Sequence, residues 1–378
     1  MKNNRTKMIV KMSGLAALMM QASVVLSDDS EMIDCPLRDS PFSISSPLMD
    51  IMLSEKASSV ANAHMDGVID KLPATFASTK APSFSAILNL KTMAAMGGIK
   101  DDEILQKVNN ELARLPVTED DKKARCARYD KSLPEIEIPE GSPRVLVFEK
   151  MNGFRDGPSV EAGAAALNRL AKQNHWSLVT TDKGGVMTPN LLNQFDVVIW
   201  NNVSGDVLTL RQRAAFEEYI NQGGGYIGIH GSAGDPIYFW DWYVDTLIGA
   251  RFIGHPMDPQ FQDATIHFEN NHTDIGKGLG SSVIMNDEWY SFQKSPRQNG
   301  ANIIATIDES TYSQKGRWGQ NVSMGSDHPI VWSNCVGNGR SFYSAIGHRP
   351  EIYDDKMHMQ MLSQAVMWAS DKNACVAK

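Results

Sequence analysis

From Arg144 onward, short runs rich in β-branched residues alternate with stretches of helical spacing. The runs begin VLVFEK, WSLVTT, DVVIW and GGYIGIH, and helical spacing follows at 159–172, 208–221 and 238–247. Strands joined in this way need right-handed crossovers, which build a parallel sheet with helices on both faces. The pattern predicts an α/β domain. Ligands in such domains bind beyond the carboxyl ends of the strands, so residues that directly follow strands are the site candidates.

The rest of the domain continues this pattern to the end of the chain. Further strands are predicted at ATIHF, SVIMNDEWYSF, NIIATI, PIVWSNCV and RSFYSAI, with a last helix at 356–369. A linker at 133–143, LPEIEIPEGSP, is rich in residues that interrupt regular structure. We therefore expect the α/β domain to span 144–378.

Residues 28–132 carry no strand signal. Helical spacing at 47–64, around 86–95 and at 101–115 predicts a small module of three helices. The stretches SPLMDIM, PSFSAILNLKTMAAM and IKDDEILQKVNNELARLP loosely resemble a helical module appended to some exported bacterial hydrolases. The resemblance implies no chemistry, and we expect a structural or interaction role.

The first 27 residues have the pattern of a secretory signal peptide. Lys2, Arg5, Lys7 and Lys11 precede an apolar run at 12–26, and small residues stand at the cleavage positions. An uncleaved anchor helix is the alternative, but the run is shorter than the roughly 20 apolar residues that span a bilayer. We expect a periplasmic or secreted protein with no membrane span once the signal is removed.

Export would place the four cysteines in an oxidising compartment, where an even number favours disulfides. Two local bridges, Cys35–Cys126 and Cys335–Cys375, are the simplest of three connectivities. Buried, reduced thiols are the alternative. None of the cysteines has the surroundings of a nucleophile.

The charge of the chain argues against one class of partner. There are 36 Lys and Arg against 44 Asp and Glu, for a net charge of −8, and no basic stripe interrupts the acidic surface. Phosphate backbones would be repelled, so nucleic acid is not expected as a partner. The sequence leaves the oligomeric state open, and a homo-oligomer remains compatible with it.

The fourth strand ends in GGGYIGIHGSAGDP, with His230 at the apex of a glycine-flanked turn. Such a turn lifts one side chain from the sheet edge, as a nucleophile elbow does. Acyl transfer needs Ser or Cys there, whereas histidine transfers protons or binds metals. Ser232 lies off the apex. A purely structural histidine is the alternative for His230.

Further candidates follow later strands. His255 stands in Gly-His-Pro, Asp287 and Glu288 interrupt a strand, and His348 follows the last strand. His230, His255 and His348 with one of the two carboxylates, Glu288 by preference, could form an open site for a divalent metal, although no HExxH spacing supports it. Trp240, in the aromatic stretch 238–243, is expected to hold a sugar ring, with core packing as the alternative.

Residues 144–370 resemble the ThuA-like family, named for trehalose utilisation. The matching stretches are VLVFEKMNGFRDGPS, DVVIWNN, GGGYIGIHGS, FWDWYVDTLIGARFIGHP, NDEWYSF, HPIVW, RSFYSAIGHRPEIY and MLSQAVMWAS. The resemblance implies a flavodoxin-like, class I glutamine-amidotransferase-like fold and a role with glycosides or keto-sugar derivatives. It places His230 where amidotransferases carry Cys, so glutaminase chemistry is not expected.

The resemblance also implies a pocket in which Trp240, His255, Glu288, Tyr290 and His348 surround His230. Many members of the family have a histidine after GFR in the first loop, where this chain has Asp156. Asp156 could act there as a ligand or base, and the chemistry or specificity could differ.

These observations support two main hypotheses. The first is an exported enzyme, a hydrolase or a lyase or isomerase, that acts on a small carbohydrate. In it His230 or Glu288 serves as general base, His255 and His348 bind a metal or polarise a carbonyl, and Trp240, Tyr290, Asp156 and Asp287 contact the substrate. The second is a non-catalytic carbohydrate-binding or scaffold protein. A third hypothesis, a cysteine-dependent hydrolase or amidotransferase, ranks last because the elbow lacks a thiol.

Overall fold

The computed structural model describes residues 33–99, 101–269, 274–373 and 375, and only the backbone of Trp318. All of them fall in one compact unit that begins at Ile33. The predicted signal peptide lies outside the described residues. Among the helices in the described part of the chain, none is long and apolar enough to cross a membrane.

The α/β part is built on a nine-stranded sheet and a separate pair of strands. The strands are β1 (Arg144–Phe148), β2 (Ser177–Thr181), β3 (Val197–Asn201), β4 (Gly225–Ile229), β5 (Phe252–Gly254), β6 (Phe261–Phe268), β7 (Ser282–Glu288), β8 (Ser291–Phe292), β9 (Asn302–Ile307), β10 (Pro329–Val336) and β11 (Gly339–Ser344). The order in the large sheet is β2-β1-β3-β4-β11-β10-β9-β6-β7, and β5 and β8 pair with each other.

The predicted α/β fold class is confirmed. Strands β2, β1, β3, β4 and β11 are parallel, and helices join the first four, as the strand and helix alternation predicts. Beyond β11 the sheet continues with four antiparallel strands, because these strands are joined without helical crossovers. Each strand of the parallel half ends at the same edge, which therefore collects residues from several loops.

Helices flank this sheet and form the N-terminal part of the chain. The helices are α1 (Leu48–Met52), α2 (Glu55–His64), α3 (Leu90–Met96), α4 (Asp102–Leu112), α5 (Glu119–Cys126), α6 (Gly157–Asn174), α7 (Pro189–Leu192), α8 (Leu210–Asn221) and α9 (Lys356–Ala369). The stretch predicted as a helix at 238–247 forms a π-helix, Trp242–Ile248. Its Tyr243 stacks on Trp200 of β3 with ring centroids 4.8 Å apart, inside the main core.

The prediction of three helices in the N-terminal module was wrong, because the described residues there form five. The predicted helix at 47–64 is divided at Ser54, whose backbone is extended. The stretch around 86–95 contains a helix only from Leu90, which Asn89 caps. Helix α5 has almost no apolar spacing and was missed. It begins at a capping box between Thr118 and Asp121, which satisfies free N–H groups at the helix start.

Both expected disulfides are present. Cys35–Cys126 ties the start of the module to the end of α5, and Cys335–Cys375 ties β10 to the chain end. The module has its own apolar core and is also bonded to the α/β part. Tyr129 donates a hydrogen bond to Asp206 at 3.1 Å, and the Ser83 amide donates to the Asn152 carbonyl at 3.0 Å.

Stability should fall in acid because of one buried histidine on α9. Burial lowers the pKa of His358 to about 4, and neither ring nitrogen has a hydrogen-bond partner in the described structure. The unfolded chain, with a histidine pKa of about 6.5, binds a proton between these values and the folded chain does not. Stability is therefore full above about pH 6.5 and decreases as the pH falls toward 4.

Between pH 7.5 and pH 4.5, we expect the unfolding free energy of His358→Leu to fall by about 2 to 3 kcal/mol less than that of the wild type. Urea unfolding at the two pH values measures this difference. His267, which is 52% exposed, gives a matched control, and His267→Leu should leave the loss nearly unchanged. An equal acid loss in the wild type and His358→Leu would contradict the prediction.

Candidate functional site

His230 stands at the apex of the turn after β4, as the sequence predicts. Its φ is +38°, a left-handed conformation that residues other than glycine rarely adopt. Tyr343 donates a hydrogen bond to the His230 carbonyl at 2.8 Å, and the His230 Nδ1–H donates to the Ala345 carbonyl at 2.7 Å. Because Nδ1 carries the proton, Nε2 of the neutral ring presents a lone pair to the site.

Three side chains meet at this apex. His230 Nε2 lies 3.1 Å from His348 Nδ1 and 3.3 Å from Glu288 Oε2, and the same carboxylate oxygen lies 3.1 Å from His348 Nδ1. We call His230, Glu288 and His348 the triad. His230 and Glu288 are buried, and His348 is partly exposed. These three residues could hold a metal ion.

The charges in the triad stabilise one another. Burial would raise the pKa of Glu288, but the imidazoles of His230 and His348 beside the carboxylate hold it well below its usual range. Burial opposes the charged form of His348, yet its hydrogen bond with Glu288 prevails and raises the His348 pKa. A carboxylate held ionised in this way is a good metal ligand and a poor proton acceptor.

Asp287, expected to contact substrate, instead faces the loop that carries His348. Its side chain is fully buried, and its two carboxylate oxygens accept the amides of Gly347 at 2.7 Å and Arg349 at 3.0 Å. The two amides lie on either side of His348. Asp287 therefore positions the imidazole and is not among the residues that line the cleft.

His255 and Tyr290 lie beside the triad. His255 Nδ1 is 2.8 Å from the Pro256 carbonyl and 3.2 Å from Glu288 Oε1, so His255 contacts the second carboxylate oxygen and not the other two histidines. Of the expected metal set of three histidines and one carboxylate, His230, His348 and Glu288 are therefore brought together, and His255 is not part of the group. The Tyr290 ring lies 4.1 Å from the His230 ring, centroid to centroid.

Asp156 borders the site from the first loop. Its carboxylate caps α6 by accepting the Ser159 amide at 3.3 Å and also accepts the Ser159 hydroxyl. It lies 3.8 Å from His348 Nε2, on the side of that ring away from the triad. Asp156 can therefore interact with the outer nitrogen of His348.

Trp240 is not brought to the site. Its indole N–H donates to Glu217 at 2.7 Å, its ring stacks on Trp242 and Tyr243, and the Arg213 guanidinium lies over it. The aromatic residues of this stretch pack against one another, so the alternative of core packing applies and not the binding of a sugar ring.

The triad opens into a cleft of about 1330 Å³ between the N-terminal module and the α/β part. Sequence reasoning missed several of its residues, which contribute in two ways. Gln260 donates a hydrogen bond to Glu288. Others contribute apolar side chains: Phe76, Phe84, Phe154, Ile253 and Phe261. A Gln before a strand or a lone Phe in a loop has no distinctive pattern, so no sequence signal marked them.

Fold and site together define an α/β protein with a mixed sheet flanked by helices, in which the turn after β4 carries a histidine. The family model described as ThuA, trehalose utilisation, matches residues 144–369. The chain belongs to the ThuA family, and the resemblance inferred from the sequence is confirmed. Among curated proteins, no relative matches this chain.

Two similar solved structures are both ThuA-like proteins, and the first of them agrees with this assignment. A ThuA-like protein from Bacteroides uniformis is 25% identical to this chain with a TM-score of 0.54, and the match covers 64% of this chain and 97% of the other. A ThuA-like protein from Parabacteroides merdae is 14% identical with a TM-score of 0.45, covering 62% and 91% respectively.

The role of Asp287 can be tested by removing one of its two acceptors. In Asp287→Asn, one backbone amide of the His348 loop would face an NH2 group, and a buried unsatisfied donor costs about 1 to 3 kcal/mol. We expect an unfolding free energy lower by about that amount. Asp263→Asn, at an exposed carboxylate on β6, is the matched control and should change it little. Equal stability of Asp287→Asn and wild type would refute the positioning role.

Proposed function

We propose that this protein is an enzyme that uses a divalent metal ion, held by His230, Glu288 and His348, to act on a glycoside or keto-sugar derivative. The observation that carries the proposal is the triad: two imidazole nitrogens and a carboxylate oxygen within 3.1–3.3 Å of one another at the wall of a large cleft. The family description, trehalose utilisation, supports a carbohydrate as the substrate class.

The triad spacing suits a first-row metal ion. With bonds of about 2.0–2.1 Å, a tetrahedral ion separates its ligand atoms by about 3.3 Å. The three atoms of the triad already have nearly this spacing. Two histidines and one carboxylate are a ligand set used for catalytic Zn²⁺ and for non-haem Fe²⁺, and three protein ligands leave positions open to substrate.

The ligands also have the supporting contacts that metal sites need. The Nδ1–H of His230 is fixed by the Ala345 carbonyl, and the loop of His348 is fixed by Asp287. Such contacts hold the tautomer and the ring orientation of a ligand. When bound, the metal would supply Lewis acidity toward a substrate oxygen.

The surrounding residues then have separate tasks. His255 lines the cleft outside the triad and is assigned the proton transfer for which Glu288, with its lowered pKa, is poorly suited. Tyr290 packs against the His230 ring at the side of the cleft. Asp156 and Gln260 can form hydrogen bonds with sugar hydroxyls. The two disulfides fit an extracellular or periplasmic location, where we propose the enzyme acts after removal of a signal peptide.

Metal content tests the triad. We expect about one transition-metal ion per chain in the purified protein by mass spectrometry of the elements. His230→Ala, His348→Ala and Glu288→Gln should each retain less than about a tenth of it, because the loss of one of three ligands weakens binding by orders of magnitude. His255→Ala, beside the triad, is the matched control and should keep the metal. Absence of metal after incubation with Zn²⁺ or Fe²⁺ would reject the centre.

Activity separates the enzyme from a binding protein. Product analysis on a panel of glycosides and their keto derivatives should show conversion by the metal-loaded protein. His255→Ala should lose roughly 10²-fold or more in kcat while keeping its metal, as expected for loss of a proton-transfer group. Calorimetric binding of sugars without conversion would instead favour a non-catalytic carbohydrate-binding protein.

A further inference from the structure

Large apolar side chains are exposed beside the polar triad. Phe154 and Ile253 are each 39% exposed and Phe261 is 38% exposed, and all three line the cleft. Four other large apolar side chains of the described chain are more exposed, and these are Leu133, Leu210, Ile284 and Met367. None of those four lines the cleft. Clustered apolar exposure beside a polar centre is typical of a binding surface and not of ordinary surface scatter.

The apolar surface is continuous with the triad. The Phe261 ring lies 5.0 Å and the Phe154 ring 6.5 Å from the His348 ring, centroid to centroid. Phe84 of the N-terminal module stacks on Phe154 with centroids 4.8 Å apart, and Phe76 meets the Phe84 ring edge-on at 5.8 Å. A ligand held at His348 would therefore extend directly onto a row of aromatic rings. We call Phe76, Phe84 and Phe154 the aromatic wall.

The N-terminal module contributes few polar side chains to this part of the cleft. Of the seven module residues that line it in the described structure, only Thr75 has a polar side chain; the others are Pro73, Phe76, Phe84, Ile87, Leu88 and Met96. A sugar ring buried there would leave hydroxyls without partners, which is costly. An apolar group would lose nothing by being buried there, and planar rings would gain by stacking.

The position of the wall is built into the fold. The Ser83 amide bonds to the Asn152 carbonyl at 3.0 Å, and the Phe154 amide bonds to the Ser204 hydroxyl at 3.0 Å. A methyl group at Gly153 would lie 2.7 Å from the Ile87 side chain, so only glycine allows the first loop to approach the module this closely. The module is thus held as one side of the cleft.

We propose that the aromatic wall is the subsite for an apolar, aromatic aglycone, so that the substrate is an aryl glycoside or its keto derivative with its sugar at the triad. This rests on the proposed function of the triad. The cleft, at about 1330 Å³, exceeds the roughly 300–1,000 Å³ of ordinary small-molecule pockets and has room for both parts. The N-terminal module therefore determines specificity.

Calorimetry with matched pairs of ligands tests the subsite. Phenyl and methyl glycosides of glucose, galactose and mannose are titrated into the metal-loaded full-length protein, with maltose as a two-sugar probe. We expect the phenyl member of at least one pair to bind roughly tenfold tighter than the methyl member, since a buried ring removes apolar area from water. Phe84→Ala and Phe154→Ala should reduce this ratio to near one, with metal content retained as proof of folding.

Met367→Ala, at a 52% exposed apolar residue away from the cleft, is the control and should keep the wild-type ratio. The subsite would be overturned by equal binding of the two members of every pair or by binding of neither member. It would also be overturned if maltose bound more tightly than the phenyl glycosides. If metal is bound in those cases, the triad assignment still holds. If phenyl preference is found without metal, the triad fails and the subsite is supported.

Discussion

The site depends on how one buried carboxylate is kept charged. Glu288 is 2% exposed, and a buried carboxylate without partners would cost several kcal/mol or become protonated. His230, His348 and His255 all lie within 3.3 Å of its two oxygens, and Gln260 donates to it. The imidazoles of His230 and His348 are thus held where a metal ion would contact both of them and Glu288.

The sheet has to bend for these residues to meet. His230 follows β4 and His348 follows β11, which are adjacent parallel strands. Glu288 ends β7, which is four strands beyond β11 and would lie about 19 Å away in a flat sheet with strands about 4.8 Å apart. The antiparallel half must therefore curl toward the edge where the parallel strands end. The bonds from Asp287 to the Gly347 and Arg349 amides fasten the two halves there.

The fold was largely predictable because it follows from local periodicity. The strands of the parallel half and the helix at 356–369 were found from their own residues, and the ThuA family from motifs in the same order along the chain. Helix α5 was not, because Glu119–Cys126 is held by its cap and by Arg125, which donates to three carbonyls of the segment 37–40. Those contacts span more than 80 residues and leave no periodic pattern.

The site was predictable only where position after a strand was enough. That rule found His230, Glu288 and His348, but it also placed His255 in the metal set, because the distance of His255 from the other ligands depends on how far the antiparallel half curls. Trp240 was favoured for a different reason, the density of aromatic residues around it. Aromatic density in a sequence does not distinguish packing from exposure. The converse applies to Phe84 and Phe154, which are single aromatic residues 70 positions apart. Their significance arises because the module and the first loop are bonded together, which places an apolar surface beside a charged centre.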